Sequence, residues 1–488
     1  MKALKRIGLA AAIITIVLAA IVAVRTMRLA PIAGRYQPAL KLALDPHVAA
    51  ERLAGAIRIE TVSTQDPSKT DAAAFATLHD YLKQAFPAAH EALKRETVAG
   101  NALLYRWQGS DPSLAPIILM AHQDVVPVAA ETESQWSVPA FEGRIANGFI
   151  WGRGTIDDKG SLLAILQAAE LLVGEGFKPK RTVYLAFGHD EEVISTGAPA
   201  TAKLLQSRGV KPQFVLDEGG SIVEGIVSGI DAPVAMVGVA EKGYMTIELT
   251  AKAEGGHSSM PPDHTAIGIL SHAIGRLEAH QFPARFKGLT EQMLIALAPA
   301  AKMPMRAVFA NTWLFGPVIS SALMGSPRTA ATIRTTTAVT MIDGGVKENV
   351  LPTQAHAIVN FRILPGDTAD SVLEHVRRTI ADDRIGVRVL TGREPTAVAS
   401  TDTAGFHAIE RSIFEAFPDV AAVAPILTLG GTDSRYYDQL TPNIYRFTPT
   451  VMRPDDLGRF HGIDERISVD GFARAIGFYV QLVRNASQ

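Results

Sequence analysis

The order of apolar segments predicts an α/β protein, a mostly parallel sheet with crossover helices into which a smaller α+β sandwich is inserted. Three observations carry that prediction. Short, continuous apolar runs at residues 117–120, 182–188 and 213–216 read as strands buried on both faces. Residues 161–172, with Leu162, Leu163, Leu166 and Leu171 as apolar points, separate two of those runs as an amphipathic crossover helix would. From about residue 243 to 396 the pattern changes to a few strands and two helices in an order that fits a small sandwich.

Taken in order, residues 1–35 stand apart. Lys2, Lys5 and Arg6 precede an uncharged apolar run at 7–24, and Arg25 and Arg28 follow it. A run of about 18 residues is at the lower edge of what spans a bilayer, and it exceeds the roughly 7–15 residues of a signal-peptide core. Leu29-Ala-Pro-Ile-Ala is a poor cleavage signal, behind two arginines and beside a proline. The preferred reading is an uncleaved single-pass anchor, with a cleaved signal and a buried helix as alternatives. The slight N-terminal excess of positive charge favours an N-inside orientation, leaving the rest of the chain on the periplasmic or extracytoplasmic side.

A length of 488 residues suggests two or three further units. Alternating strands and helices assign 36–242 to the first part of the large domain. The small domain, 243–396, is read as a strand at 245–252, a helix at 265–278, strands near 338–342 and 355–363, a helix at 369–380 and a strand at 386–390. The large domain then resumes over 397–488. Within the small domain, 286–334 is an apolar insertion with few charges. It fits extra core packing or a subunit contact, or else an apolar surface for a fatty-acyl substrate or the membrane.

Polar residues cluster where strands end. His122-Gln-Asp124-Val-Val-Pro follows the run at 117–120, and Gly152-Arg-Gly-Thr-Ile-Asp157-Asp158-Lys-Gly160 is a glycine-punctuated loop. His189-Asp-Glu191-Glu192 and Asp217-Glu218-Gly-Gly follow the next two strands, and His461 lies near the C-terminus. Any one cluster is ordinarily a solvated loop or a helix cap. Together they can meet at one sheet edge, where open α/β sheets bind ligands. Imidazole and carboxylate are also the ligand types zinc accepts, and two metals about 3.5–4 Å apart need a shared bridging carboxylate.

This ordered set resembles the M20 family of co-catalytic zinc peptidases, in its carboxypeptidase S and N-acyl-amino-acid hydrolase branch. Further matches are Gly256-His-Ser-Ser-Met-Pro-Pro262, Asn349-Val-Leu-Pro352, Gly430-Gly-Thr-Asp-Ser-Arg435 and Phe460-His461-Gly. The resemblance implies a zinc-peptidase-type sheet domain with a lid or dimerisation domain, two Zn2+ ions and a possible homodimer. It implies that His122 and Asp217 bind one metal, that Glu192 and His461 bind the other, and that Asp157 bridges them. Asp158 would follow through a peptide bond often strained in that family. Asp124 would orient His122, and Glu191 would act as general base. His257 would reach the scissile carbonyl from the lid and stabilise the oxyanion, while Arg435 would hold the substrate's free carboxylate. Arg362 and Asn349 are further substrate-contact candidates. The implied substrate is a peptide or an N-acyl amino acid.

Composition excludes other classes. Forty-seven basic against 49 acidic residues, net charge −2, gives no footprint for nucleic acid. The absence of cysteine excludes a thiolate metal site or a cysteine nucleophile. A non-catalytic, membrane-tethered binding protein of the same fold is disfavoured because Glu191 and every implied ligand are present. An aminopeptidase is disfavoured because Arg435 suits a carboxylate rather than an amine.

Overall fold

The computed structural model describes residues 2–29, 34, 36–39, 42–193 and 195–487. Most of the cleavage-signal reading, at 30–33, lies outside these. The chain opens on helix α1 (Lys2–Met27) and reaches strands β1 (Lys94–Val98), β2 (Ala102–Trp107) and β3 (Ile117–His122). Helix α2 (Lys159–Gly174) leads to β4 (Val183–Gly188), β5 (Phe214–Asp217) and β6 (Val234–Glu241). A second unit follows, with β7 (Gly243–Lys252), α3 (Ala266–Ala279), α4 (Leu289–Leu297), α5 (Met305–Ala310), α6 (Thr312–Leu323), β8 (Thr336–Gly344), β9 (Gln354–Ile363), α7 (Ala369–Ile380) and β10 (Ile385–Arg393). The first unit is completed by β11 (Ala422–Thr428), β12 (Ile444–Arg446) and α8 (Val469–Ala486).

The large sheet runs β1-β2-β4-β3-β5-β12-β6, with short strands beyond β6 and with β11 also paired to β6. Its centre is parallel: β3 pairs with β4 and β5, and β5 pairs with β12. The β1 and β2 edge is antiparallel. Every residue of β3 and β4 is buried, which is why these strands read as unbroken apolar runs rather than alternating ones. Helix α2 departs from the amphipathic expectation. Lys159, Ser161 and Gln167 are buried along with its leucines, because α8 and the Pro46–Ile57 helix also pack against it. Gln167 accepts a hydrogen bond from Arg52 at 2.6 Å, satisfying its polar end.

The second unit is an antiparallel sheet, β8-β9-β7-β10, with α3 and α7 packed on it around Ile247, Leu249, Val359, Phe361, Leu270 and Val376. Its strands alternate buried and part-exposed residues, as a sheet covered on one face must. The apolar segment 286–334 is mostly helical. Phe286, Leu294, Leu297, Phe309 and Ile319 bury against Val234, Ala422 and Ala424 of the first unit. Extra core packing therefore accounts for one face of it.

The topology sets adjacent strands β4, β3 and β5 side by side and parallel. The ends of all three, His122, the His189–Glu192 turn and Asp217–Glu218, thus reach one edge.

Candidate active site

Asp157 is the centre of the polar cluster. Its two carboxylate oxygens face different imidazoles, Oδ1 lying 2.9 Å from His122 Nε2 and Oδ2 lying 2.7 Å from His461 Nε2. Glu192 approaches the same His461 nitrogen at 3.2 Å, and Glu218 approaches His122 Nε2 at 3.4 Å. His122, Asp157 and Glu192 offer ligand atoms close enough to share one cation, as do His122, Asp158 and Glu218. The Asp157–Asp158 peptide bond is cis. The positive end of α2 begins at Lys159, where it favours the negative charge of this pair.

Asp124 touches no second imidazole. It sits beside His122 Nδ1 at 3.2 Å, and its two oxygens accept the backbone N–H groups of Glu191 and Glu192, each at 3.2 Å. One carboxylate therefore fixes the ring of His122 and the turn that presents both glutamates.

The expected ligand Asp217 is not part of the cluster. Its Oδ2 accepts from the backbone N–H of Ser434 at 2.7 Å, and Glu218 occupies the place beside His122 instead. Successive side chains at a strand end point to opposite sides. At the end of β5, one acid must therefore face the Thr432–Ser434 turn and the other must face β3. Spacing alone did not say which.

Two groups without a sequence-level assignment hold the cluster together. Glu465 is fully buried; its Oε1 accepts from the N–H groups of Gly154, Ile156 and Asp157 at 3.0, 2.8 and 3.2 Å. Its Oε2 pairs with Arg153 at 2.6 Å, and Arg153 also donates to the carbonyls of His461 and Gly462 at 3.1 and 3.0 Å. This pair ties the Asp157 loop to the His461 loop across some 300 residues of sequence. The only signal was that Glu465 closes the His461 motif. Glu241 plays a similar part elsewhere. Its Oε1 accepts from Thr432 N–H (2.8 Å), Thr432 Oγ1 (2.7 Å) and Arg446 Nε (2.6 Å), anchoring the turn that carries Arg435.

The electrostatics describe a dense acidic cluster whose ligand atoms could hold a cation. Burial works against ionisation of Asp157, but the flanking His122 and His461 overcome it and hold its carboxyl well below the usual range. Hydrogen bonds to Asp157 and Glu192 push His461 up to about 10. Burial raises Glu191, Glu218 and Asp158 well above ordinary carboxyl values, and neighbouring carboxylates add to the effect. Asp433, also buried beside Asp217, is pushed up to about 8. Protons neutralise so dense a set of acids only by occupying their ligand atoms. Divalent cations would neutralise them while leaving the carboxylates ionised.

Arg435 sits in the turn that also carries Asp433, its Nε donating to Thr432 O at 2.7 Å and lying 3.7 Å from the Glu241 carboxylate. A Cβ on Gly431 would meet this guanidinium, so a larger residue there would displace the Arg435 side chain. Arg435, Lys242, Tyr244 and Arg393 line a cavity of about 550 Å³ where the two sheets meet. Arg362 stacks on Tyr244 with its guanidinium carbon 4.8 Å from the ring centre. Burial, opposed by Tyr244 and aided by the nearby charge of Arg435, lowers its pKa. Lys242 is lowered to about 8, first by burial and then by Arg362 and Arg334. His257 and Asn349 sit apart from the cage. His257 is exposed on a two-residue strand paired with Val350–Leu351, and its Nδ1 meets Ser259 Oγ at 2.7 Å. Asn349 accepts from Ser258 N–H at 3.2 Å through its carbonyl.

The model of peptidase family M20/M25/M40 matches residues 118–485. The chain belongs to the M20 family. It is an amide hydrolase of the metallopeptidase type, in a family whose members are metal-dependent. It is 42% identical over 441 residues to a Xenopus tropicalis protein named N-fatty-acyl-amino acid synthase/hydrolase PM20D1, covering 89% of this chain and 85% of that one. It is 40% identical over 445 residues to a probable carboxypeptidase S-like protein 2 of Dictyostelium discoideum, covering 90% and 85%. In structure it is similar to an M20 family metallo-carboxypeptidase from Sulfolobus solfataricus, with a TM-score of 0.64 and 17% identity over 90% of this chain and 99% of that one. That last likeness carries the fold alone.

Proposed function

We propose that this M20 enzyme is a membrane-anchored, two-zinc hydrolase that cleaves the amide bond preceding an amino acid with a free carboxylate. The observation that carries the reading is Asp157, whose two oxygens each face a separate histidine, as a bridging ligand requires. His122 with Glu218 would hold one metal, and His461 with Glu192 the other. Bound there, the metals would supply Lewis acidity and make a water acidic enough to attack near neutral pH. Glu191 stays out of the imidazole contacts and takes the proton of the attacking water. As the C–N bond breaks, it returns that proton to the leaving amine nitrogen. Arg435 pairs with the free carboxylate through its planar fork. Arg362 and Lys242 add positive charge behind it. His257 would donate to the developing oxyanion after the small domain moves toward the cage.

The ligand assignment separates two neighbours. Glu218→Ala should lower metal content to about one ion per chain and abolish turnover, whereas Asp217→Asn should retain two ions with weaker binding. Metal analysis after gel filtration checks both, and a Glu218 variant that kept two ions would return the role to Asp217. Arg435→Ala should raise KM for free-carboxylate substrates on the order of 10²-fold, given about 2–5 kcal/mol for a charge pair. It should erase the preference over the corresponding amides. An unchanged preference would exclude Arg435 as the carboxylate contact.

A second reading, N-fatty-acyl amino acids as substrate for hydrolysis or condensation, has its own support. A cavity of about 730 Å³ is lined by Ile226, Val227, Met236, Met293 and Leu429, and its wall includes Gly219-Gly220, directly after Glu218. The Xenopus relative's name points the same way. Metal-replete enzyme assayed on paired dipeptides and N-fatty-acyl amino acids decides between the acyl groups. No turnover of either series would overturn both readings.

A further inference from the structure

We infer that α6 is a second membrane contact, lying in the lipid surface beside α1 and holding the enzyme against the bilayer. The inference rests on reading α1 as a membrane anchor. Residues Leu4–Met27 are long and apolar enough to cross a bilayer, with none of their most apolar stretch buried. Among the described residues, the hydrogen bonds that join α1 and its following turn to the rest of the protein lie at the end of the helix. There Asn311 Nδ2, which also donates to Ala307 O at 2.8 Å, donates to Thr26 Oγ1 at 3.2 Å, and Arg306 donates to Leu29 O at 2.5 Å. Thr26 and Asn311 are both buried in this contact.

The docked turns coincide with the end of the apolar run, at Val24, with Arg25 and Arg28 close by. An apolar run ends where hydrocarbon gives way to headgroups, and arginines there sit among the headgroups. Asn311, which grips α1 at that height, is also the residue that leads into α6. The helix is therefore held at the boundary by hydrogen bonds to the anchor itself.

The composition of α6 suits that position. Thr312–Leu323 contains no charged residue. Thr312 and Ile319 face the protein. Trp313, Leu314 and Val318 form an outward stripe at helical spacing, exposed by 45, 38 and 68%. Met303, just upstream, is exposed as well. An exposed apolar stripe of this kind suits an interaction surface, and tryptophan favours the membrane interface. A second copy of the chain or another protein could cover such a stripe. Its continuity with the anchor favours lipid.

The native chain has no cysteine, so single nitroxide labels can be placed in the full-length protein without other changes. Val318→Cys, Ile14→Cys and Val346→Cys are each labelled and reconstituted in phospholipid nanodiscs. Collision with oxygen, which concentrates in hydrocarbon, is compared with collision with a water-soluble nickel chelate. Ile14, 59% exposed in α1, reports on the anchor, and Val346, 97% exposed on the second unit, reports on bulk water. The expected result is an oxygen-to-nickel ratio at Val318 severalfold above that at Val346 and on the side of Ile14. With Ile14 in lipid, a Val318 label as open to nickel as Val346 overturns the inference. So does a Val318 label shielded from both reagents, which would mean that protein covers the stripe. An aqueous Ile14 label would remove the anchor reading, and this inference with it.

Discussion

Glu191→Gln should reduce amide hydrolysis by roughly 10²–10⁴-fold, the usual contribution of a positioned proton-transfer group, while leaving the metal content unchanged. The substitution keeps the size of the side chain and the backbone N–H that Asp124 Oδ1 accepts at 3.2 Å, so the turn and its neighbour Glu192 stay in place. What is lost is the ability to accept a proton. Burial and the nearby carboxylates of Asp433, Glu192 and Asp157 raise this group well above the ordinary carboxyl range, a direction that suits a proton shuttle near neutral pH. Single-turnover kinetics with metal analysis on the same sample provide the check. Wild-type turnover in the variant would remove Glu191 from the mechanism, and loss of an ion would make it a ligand.

Glu465→Ala should be the most damaging change among residues that touch no substrate. Removing it leaves Arg153 buried without its partner and strips the acceptor from three backbone N–H groups of the Gly154–Asp157 loop. Breaking a buried ion pair from one side costs about 3–5 kcal/mol. The expected outcome is a lower denaturation midpoint together with weaker retention of metal against a chelator, because Asp157 and His461 are both positioned through this pair. Glu465→Gln keeps an acceptor and should recover part of both properties. A variant that lost stability but bound metal as tightly as wild type would limit Glu465 to a structural role.

How far the sequence reached can be read from particular residues. The pattern of strand ends places the acidic and imidazole clusters at one edge, and the M20 resemblance is what assigns His122, Asp157, Glu192 and His461 to the metals. The resemblance assigns Asp217 rather than Glu218 to a metal, and a sequence does not reveal which of two adjacent acids faces inward. Glu465 and Glu241 carry no local signal of their role, because a fully buried carboxylate looks, in one dimension, like any solvated one. Their importance lies in partners up to 312 residues away. The resemblance places His257 and Asn349 against the substrate, and the structure sets the two together on the small domain.

The sequence by itself determined the fold class, the location of the polar edge and the apolar character of α1 and of 286–334. All of these follow from local periodicity and composition, which the chain carries without reference to its folded form. Only the tertiary structure decided that Asp157 lies between two histidines, that Glu218 rather than Asp217 faces His122, and that α1 is gripped by Asn311 at the start of α6. Each of these depends on contacts between segments far apart in the chain. Such contacts are set by strand register and packing, which no local pattern encodes.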